Sequence, residues 1–300
     1  MNAVILSSPK YWSTYLSTKS FPDAVILINK DKGKTSRDVV NSLTKVFNTK
    51  RIGHTGTLDP IAQGVLVICI NKYTKLVNSL MSLDKEYIST ITLGIKTDTF
   101  DITGKVLDKK DVNVSKDDIE KVFSSLIGKY KQVVPIYSAK KVNGKKLYEY
   151  ARNGEEVKLP INEVDIYNLE LISYEDNKIV FKCNCSKGTY IRSLIQTICE
   201  KLNVIGTMSD LIRTKQGNFD ISNTYTIKDI ENGNYKVLSV KDLFDYKIYN
   251  LNEDEYNKVK NGSHIKIDSN EDKMLLYYNN EEVAIYKRKD NFYVCDIMLI

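Results

Sequence analysis

The sequence predicts an α+β fold: a central mixed or antiparallel sheet flanked by helices, with a small β-rich unit at the C-terminal end. Three observations lead there. Strand-like alternation outnumbers helical periodicity, and the two do not take turns in the regular order of a doubly wound parallel sheet. Apolar residues fill 42% of the 300 positions, which is enough for a real core and too many for a disordered chain. Beyond about residue 240 the pattern changes to short strands and turns, and the charge balance changes with it. Residues 251–300 carry 7 basic against 10 acidic side chains, whereas residues 1–250 carry 37 against 28. The overall +6 therefore belongs to the first 250 residues, the sign expected of a surface that meets a polyanion.

Taken in order, residues 1–23 read as an N-terminal extension, rich in aromatics and serine and without a clear period. Val25 to Ile28 is a short buried strand. The basic turn Lys30-Asp31-Lys32-Gly33-Lys34-Thr35-Ser36 follows, and Ser36 is placed to cap a helix carrying Val39, Val40, Leu43, Val46 and Phe47 at helical spacing. Val65 to Ile70 is an apolar strand, and Leu76, Val77, Leu80 and Leu83 mark a second helix. Glu86 to Gly94 alternates, with Tyr87, Ser89, Ile91 and Leu93 on one face. Ser115-Lys116-Asp117-Asp118 is a capping box ahead of Ile119, Val122, Phe123, Leu126 and Ile127, with Gly128 as the stop. Asn177 to Cys185 alternates again as a half-buried strand, and Ile191, Leu194, Ile195, Ile198 and Leu202 mark a fourth helix. His264 to Ile267, Met274 to Tyr278, Glu282 to Tyr286 and Asn291 to Ile300 are the short strands of the last unit. There is no internal repeat or low-complexity tract. The division is thus 1–23, a main domain over 24–240, and a small β-rich domain over 241–300.

Several classes are excluded. The five cysteines are irregularly spaced and form no C-x-x-C pair, and His54 and His264 lie far apart, so a zinc site is not expected. Cys183 and Cys185 alternate along an apolar strand and read as small buried hydrophobes. No apolar run reaches the ~20 residues of a membrane span, and the N-terminus lacks the layout of a secretory signal. A protein of the cytoplasm, without membrane contact, is expected.

The stretch that carries chemistry is Arg51-Ile52-Gly53-His54-Thr55-Gly56-Thr57-Leu58-Asp59-Pro60-Ile61-Ala62-Gln63-Gly64-Val65-Leu66. Glycine reaches φ > 0 and proline locks φ, so three glycines and a proline over 53–64 fix an unusual backbone path. One carboxylate, Asp59, sits in that path and runs at once into a strand. A solvated turn is the ordinary reading of such a cluster; a lone acid on a stiff loop is also what catalysis requires of a nucleophile or base. Four more patches stand out: Lys85-Glu86-Tyr87, Thr97-Asp98-Thr99-Phe100-Asp101, the stretch 135–152, and Lys187-Gly188-Thr189-Tyr190-Ile191-Arg192. Over 131–152 six basic residues face one acid, with Tyr137, Tyr148 and Tyr150 interleaved. Taken alone, that stretch reads equally as a charged helix face or as a nucleic-acid surface.

Jointly and in this order, the five motifs over about residues 24–219 resemble the bacterial tRNA pseudouridine synthase B family. The resemblance implies a pseudouridine synthase catalytic domain with a PUA-like C-terminal domain, an RNA-gripping insertion over about 131–155, and conversion of uridine-55 in the T loop of tRNA to pseudouridine. It implies that Asp59 is the catalytic nucleophile, that Arg192 pairs with it, and that Tyr87 is the family's stacking tyrosine and a candidate proton acceptor. His54 takes the place vacated by the flipped base, and Tyr190 and Leu211 line the nucleotide pocket. Asp101, Lys140, Lys141 and Arg152 are the remaining substrate contacts. Breaking the N1–C1′ bond and rejoining the uracil through C5 involves no redox step, so neither cofactor nor metal is expected. The partner is the tRNA T stem-loop, with no obligatory protein partner and a monomeric state. Two departures stand out: Lys30-Asp31 where the family has Lys-Pro, and Leu211-Ile212-Arg213-Thr214 where it has Leu-Arg-Arg-Thr, which removes one expected basic contact. The leader is also longer than the family leads one to expect. Two other readings compete: a guide-dependent ribosomal RNA synthase of the dyskerin type, and a non-catalytic RNA chaperone that refolds tRNA.

Overall fold

Two apolar runs, 24–28 and 65–70, have no polar face to offer solvent. In the computed structural model, which describes residues 21–300, they pair as the doubly covered part of one large sheet. In chain order, β1 (Ala24–Lys30) leads to α1 (Ser36–Phe47), and β2 (Ile52–His54) and β3 (Gln63–Ile70) flank a loop over 55–62. A 3₁₀ turn (Asn71–Leu76) and α2 (Val77–Met81) precede β4 (Lys85–Leu93), the hairpin β5 (Ile95–Thr97) and β6 (Val106–Lys109), α3 (Lys116–Ser125) and β7 (Gly128–Val133). A small hairpin, β8 (Lys141–Val142) and β9 (Lys145–Lys146), runs into α4 (Leu147–Asn153). Then come β10 (Ile161–Glu175), β11 (Lys178–Cys185), α5 (Ile191–Lys201), β12 (Gly206–Gln216), β13 (Phe219–Asp220), α6 (Ile227–Glu231) and α7 (Val240–Leu243). The chain ends with β14 (Lys247–Asn250), α8 (Glu253–Val259), β15 (Lys273–Tyr278), β16 (Glu281–Lys289) and β17 (Phe292–Met298).

The large sheet runs β1-β3-β12-β4-β11-β10-β7, with β2 beside β3 and β13 beside β12. β12 lies parallel to β3 and the other neighbours are antiparallel, so the sheet is mixed. One face buries the apolar stripes of α1, α3 and α5. On the other face of β1 and β3, Val25, Leu27, Val65 and Val67 meet α2, Leu275 and Ile285 of the second sheet, and Leu299 just beyond it. β11 has only one covered face, and its buried residues alternate accordingly. The second sheet, β14-β15-β16-β17, has a core of its own with Val259, Leu276, Tyr286 and Tyr293. Glu282 fastens the seam, accepting from the phenols of Tyr73 and Tyr277 and from the Val240 backbone N–H.

Several expectations are corrected. Thr35, not Ser36, caps α1, in a capping box with Asp38; Ser36 is the first helical residue and turns its hydroxyl to Leu58. Leu83 lies beyond α2, which ends at Met81. Gly128 does not stop α3 but opens β7 at φ +100, and Ile127 is exposed. Residues 131–133 belong to the edge strand β7. His264–Ile267 forms no strand, only a bridge from Ile265 to Tyr293. Most of the expected extension lies outside the described residues, but Phe21 is buried against Phe47, with ring centroids 4.1 Å apart. The longest strand, β10, and the helix α8 carry no periodic signal strong enough to be read. β10 and β11 join through Asp176 and Asn177, both at positive φ, the conformation a tight two-residue hairpin needs.

Candidate active site

Asp59 lies where β3 changes neighbours. β2 pairs with its far end at Ile68–Ile70 and β12 with its near end at Gln63–Gly64, so the loop over 55–62 fills the gap between them. Gly64, at φ +104, makes the close approach possible: a Cβ there would collide with the carbonyl oxygen of Arg213. The loop is anchored rather than free. Leu58, Ile61 and Ala62 are buried, the Leu58 N–H donates to Ser36 Oγ at 3.0 Å, and Gly33 N–H donates to the Pro60 carbonyl at 2.7 Å. Gln216, fully buried, donates to the Thr55 hydroxyl at 2.7 Å and to the Leu80 carbonyl at 2.9 Å.

The Asp59 side chain keeps 28% of its surface open. Its carboxylate meets Arg192 in a two-point fork, Nε to Oδ2 at 2.8 Å and Nη2 to Oδ1 at 3.0 Å. Lysine cannot copy that planar geometry. Arg192, in the first turn of α5, also donates to the Tyr137 carbonyl at 2.8 Å and the Thr99 carbonyl at 3.1 Å. The guanidinium thus ties together the Asp59 loop, the turn after β5 and the root of the insertion.

Tyr87 is buried at the start of β4, cross-strand from Arg213. Burial pushes its phenol up to about 12, with the hydrogen-bonded Arg213 guanidinium acting in the opposite direction. Tyr190 is half-buried, and burial raises its phenol as well, while Ser138 and Arg192 oppose the rise. Leu211 is buried on β12. His54 ends β2, and burial, then Arg213 and Arg37, lower its imidazole below the ordinary value.

Asp101 is placed differently from expectation. Its carboxylate is buried and turned back into its own turn, accepting from Thr99 Oγ1 at 3.1 Å and from the Thr103 N–H at 3.0 Å. It holds the turn that offers the Thr99 carbonyl to Arg192. Lys140, Lys141 and Arg152 are exposed on the segment 138–153, outside the hydrogen-bonded cluster around Asp59, and Arg152 lies 5.3 Å from the Tyr148 ring centroid. Lys145 and Lys146 are occupied locally: Lys145 pairs with Glu155 at 2.6 Å, and Lys146 lies 5.4 Å from the Tyr148 ring centroid.

Asp59 is thus gripped by a buried arginine, with the Tyr190 phenol within electrostatic reach of its carboxylate, while Tyr87 pairs with Arg213. The family described as TruB family pseudouridylate synthase (N terminal domain) matches residues 44–191. The tRNA pseudouridine synthase B of Caldanaerobacter subterraneus subsp. tengcongensis is 44% identical over 266 residues, which is 88% of this chain and 93% of that protein. That of Lactobacillus acidophilus is 40% identical over 292 residues, 93% of this chain and 98% of that protein. The chain belongs to the tRNA pseudouridine synthase B family. Among solved structures, a Cbf5-Nop10-Gar1 complex contains a chain 23% identical, with a TM-score of 0.69, over 92% of this chain and 85% of that one. An H/ACA RNP bound to a substrate RNA containing 2′-deoxyuridine gives 21% identity and a TM-score of 0.67, over 92% and 85%. At that identity the likeness shows the shared fold.

Within this family fold, two departures find physical answers. Without a proline, the turn after β1 is closed by the buried Lys30, whose ammonium donates to the carbonyls of Asp31 at 2.9 Å and Lys34 at 2.6 Å; burial lowers Lys30 to about 8. Ile212, where a basic residue was expected, is half-buried in β12 between Gln63 and Ile88. The residue missed by sequence reasoning is its neighbour Arg213. It is 1% exposed, donates to the Val65 carbonyl at 2.7 Å and the Gly56 carbonyl at 3.2 Å, and hydrogen-bonds Tyr87. Its only sequence signal is its place in the Leu-x-Arg-Thr run. Among the described residues no helix is long and apolar enough to cross a membrane.

Proposed function

We propose that this chain converts uridine-55 in the T loop of tRNA to pseudouridine, acting as a monomer in the cytoplasm without a guide RNA. Asp59 is the nucleophile, and the observation that carries this reading is its two-point pairing with Arg192 in a gap of the sheet. The pairing keeps the carboxylate aimed, while the surrounding buried residues limit water. The reaction breaks N1–C1′ and forms C5–C1′; C5 gives up its proton and N1 takes one up, so the product is an isomer. Asp59 assists the cleavage and holds the separated pieces for rejoining. The target base must leave its stack to arrive there. Tyr87, neutral at pH 7, serves as a ring against which the base packs and as a hydrogen-bonding phenol, while its ionised form is scarce. Tyr190 and Leu211 line the pocket, and His54 fills the space the base vacates. Lys140, Lys141 and Arg152 meet phosphate, in keeping with loop RNA being read by stacking plus basic contacts. Residues 24–240 form the catalytic domain and 241–300 a PUA-like appendage.

The chaperone reading needs none of Asp59, Arg192 and Tyr87, and the guide-dependent reading requires a second RNA. Incubating the protein alone with an unmodified tRNA transcript and mapping pseudouridine separates all three. Product at position 55 is expected. Asp59→Asn is expected to abolish it while tRNA affinity stays within about twofold, and turnover by that variant would remove Asp59 from its role.

A further inference from the structure

The start of α5, which carries Arg192, lacks a cap of its own. Tyr190 precedes the helix with extended backbone angles, and its side chain makes no capping hydrogen bond. A helix N-terminus leaves backbone N–H groups without intrahelical partners, and another element must satisfy them when the end is buried. Here Gln132 of β7 does so. It is 2% exposed, its Oε1 accepts from the Tyr190 backbone N–H at 2.8 Å, and its Nε2 donates to the Tyr130 hydroxyl at 2.6 Å. The amide orientation follows from chemistry, since only the oxygen can accept from an N–H. One residue further on, the Val133 carbonyl accepts from the Ser193 hydroxyl at 2.9 Å. The chain then reaches Tyr137, whose carbonyl accepts from Arg192 itself at 2.8 Å. The segment 132–137 is therefore stitched along the first turn of α5 at three points that bracket Arg192.

We propose that Gln132, assisted by Ser193, is a positioning residue for the Asp59 carboxylate. It supplies the cap that α5 lacks and so fixes the point from which the Arg192 fork closes on Asp59. The proposal rests on the reading of Asp59 and Arg192 as the reacting centre. It makes Gln132 a determinant of rate rather than of RNA affinity, although its strand leads directly into the insertion.

The test is single-turnover pseudouridine formation on an unmodified tRNA transcript, with affinity for the same transcript measured separately. Gln132→Met keeps length and removes both polar contacts. Its rate at saturating enzyme is expected to fall roughly tenfold, with affinity within about twofold of wild type. Gln132→Glu, which retains an acceptor toward the Tyr190 N–H, restores most of the rate. In an Arg192→Lys background, where the fork is already lost, Gln132→Met adds less than about twofold, a non-additivity that a general packing defect would not produce. Ser193→Ala is the gentler cut and gives a loss of a few fold that also vanishes in that background. Should Gln132→Met not fold, Ser193→Ala decides alone. The proposal is overturned if the variants that fold keep wild-type rate, if their loss is the same in both backgrounds, or if it lies in affinity. Asp59→Asn is the control. If it turns over, the underlying reading fails; if it is inactive while Gln132→Met is unaffected, only this inference falls.

Discussion

The Asp59 loop and the segment 138–153 differ in how they use charge. Around Asp59 the buried cations have fixed internal partners: Arg192 is bound at four points, Arg213 at two carbonyls and a phenol, Lys30 at two carbonyls. Over 138–153, Lys140 and Lys141 are exposed, Arg152 is exposed but lies over the Tyr148 ring at 5.3 Å, and what order there is comes from a short hairpin and a helix of two turns. A buried charge whose hydrogen bonds are already made cannot move to meet a ligand, but it holds geometry well. An exposed cation holds nothing, yet it is free to replace the counterions of a phosphate chain. Under the proposed function, the difference puts rate in one region and affinity in the other.

The hardest blow to that division would come from Arg192→Lys. The change keeps the positive charge and deletes the fork, so two of the hydrogen bonds to Asp59 cannot both be remade. Losing a charged hydrogen bond of this kind costs about 2–3 kcal/mol, or roughly 10²-fold in single-turnover rate. Transcript affinity is expected to hold within about twofold. A loss divided between rate and affinity would mean that the centre also grips RNA.

The insertion is tested by contrasting two pairs of lysines. Lys140→Ala with Lys141→Ala is expected to weaken transcript binding about tenfold and to reduce the salt slope by up to about 2, since each phosphate contact contributes roughly 0.7–0.9. The single-turnover rate at saturation stays near wild type. Lys145→Ala with Lys146→Ala has a smaller effect on both, because Lys145 is engaged by Glu155 and Lys146 by the Tyr148 ring. Equal effects from the two pairs would show that RNA rearranges the insertion on binding.

Much of the centre is legible in the amino-acid sequence. Asp59, Tyr87 and Arg192 sit in motifs whose order is unusual enough to identify, and the stripes of α1, α3 and α5 follow the helical period. Other features are hidden for physical reasons. β10 slips register against β11 after Ile166 and again after Leu171, and each slip breaks its alternation. Thr35 and Ser36 are both good caps, and only packing against Leu58 decides between them. Asp101 and Arg213 look like surface or contact residues by type. Sequence does not show that one folds back on its own turn while the other is sunk between two strands. Gln132 gives no signal at all, because its function comes from a helix start 58 positions away.

The mildest test asks for no change. If rate depends on fixed geometry rather than on titration of the nearby rings, neither Tyr87 nor His54 contributes a change in single-turnover rate between pH 7 and 9, and any change there follows Lys30, which burial lowers to about 8. Burial pushes Tyr87 up to about 12, so it stays neutral across that window; burial and two arginines lower His54, so it is neutral there too. The same shift has a consequence for stability. The unfolded chain takes a proton on His54 near its ordinary value of 6.5, while the folded chain does so only at lower pH. Stability from this group is therefore complete above about pH 6.5 and is lost as pH falls toward the folded value. Urea midpoints at pH 7 and pH 5 are expected to differ more in the wild type than in His54→Gln. An equal difference would show that the imidazole is not held neutral by its surroundings, and the rigidity argued for the loop would lose one of its supports.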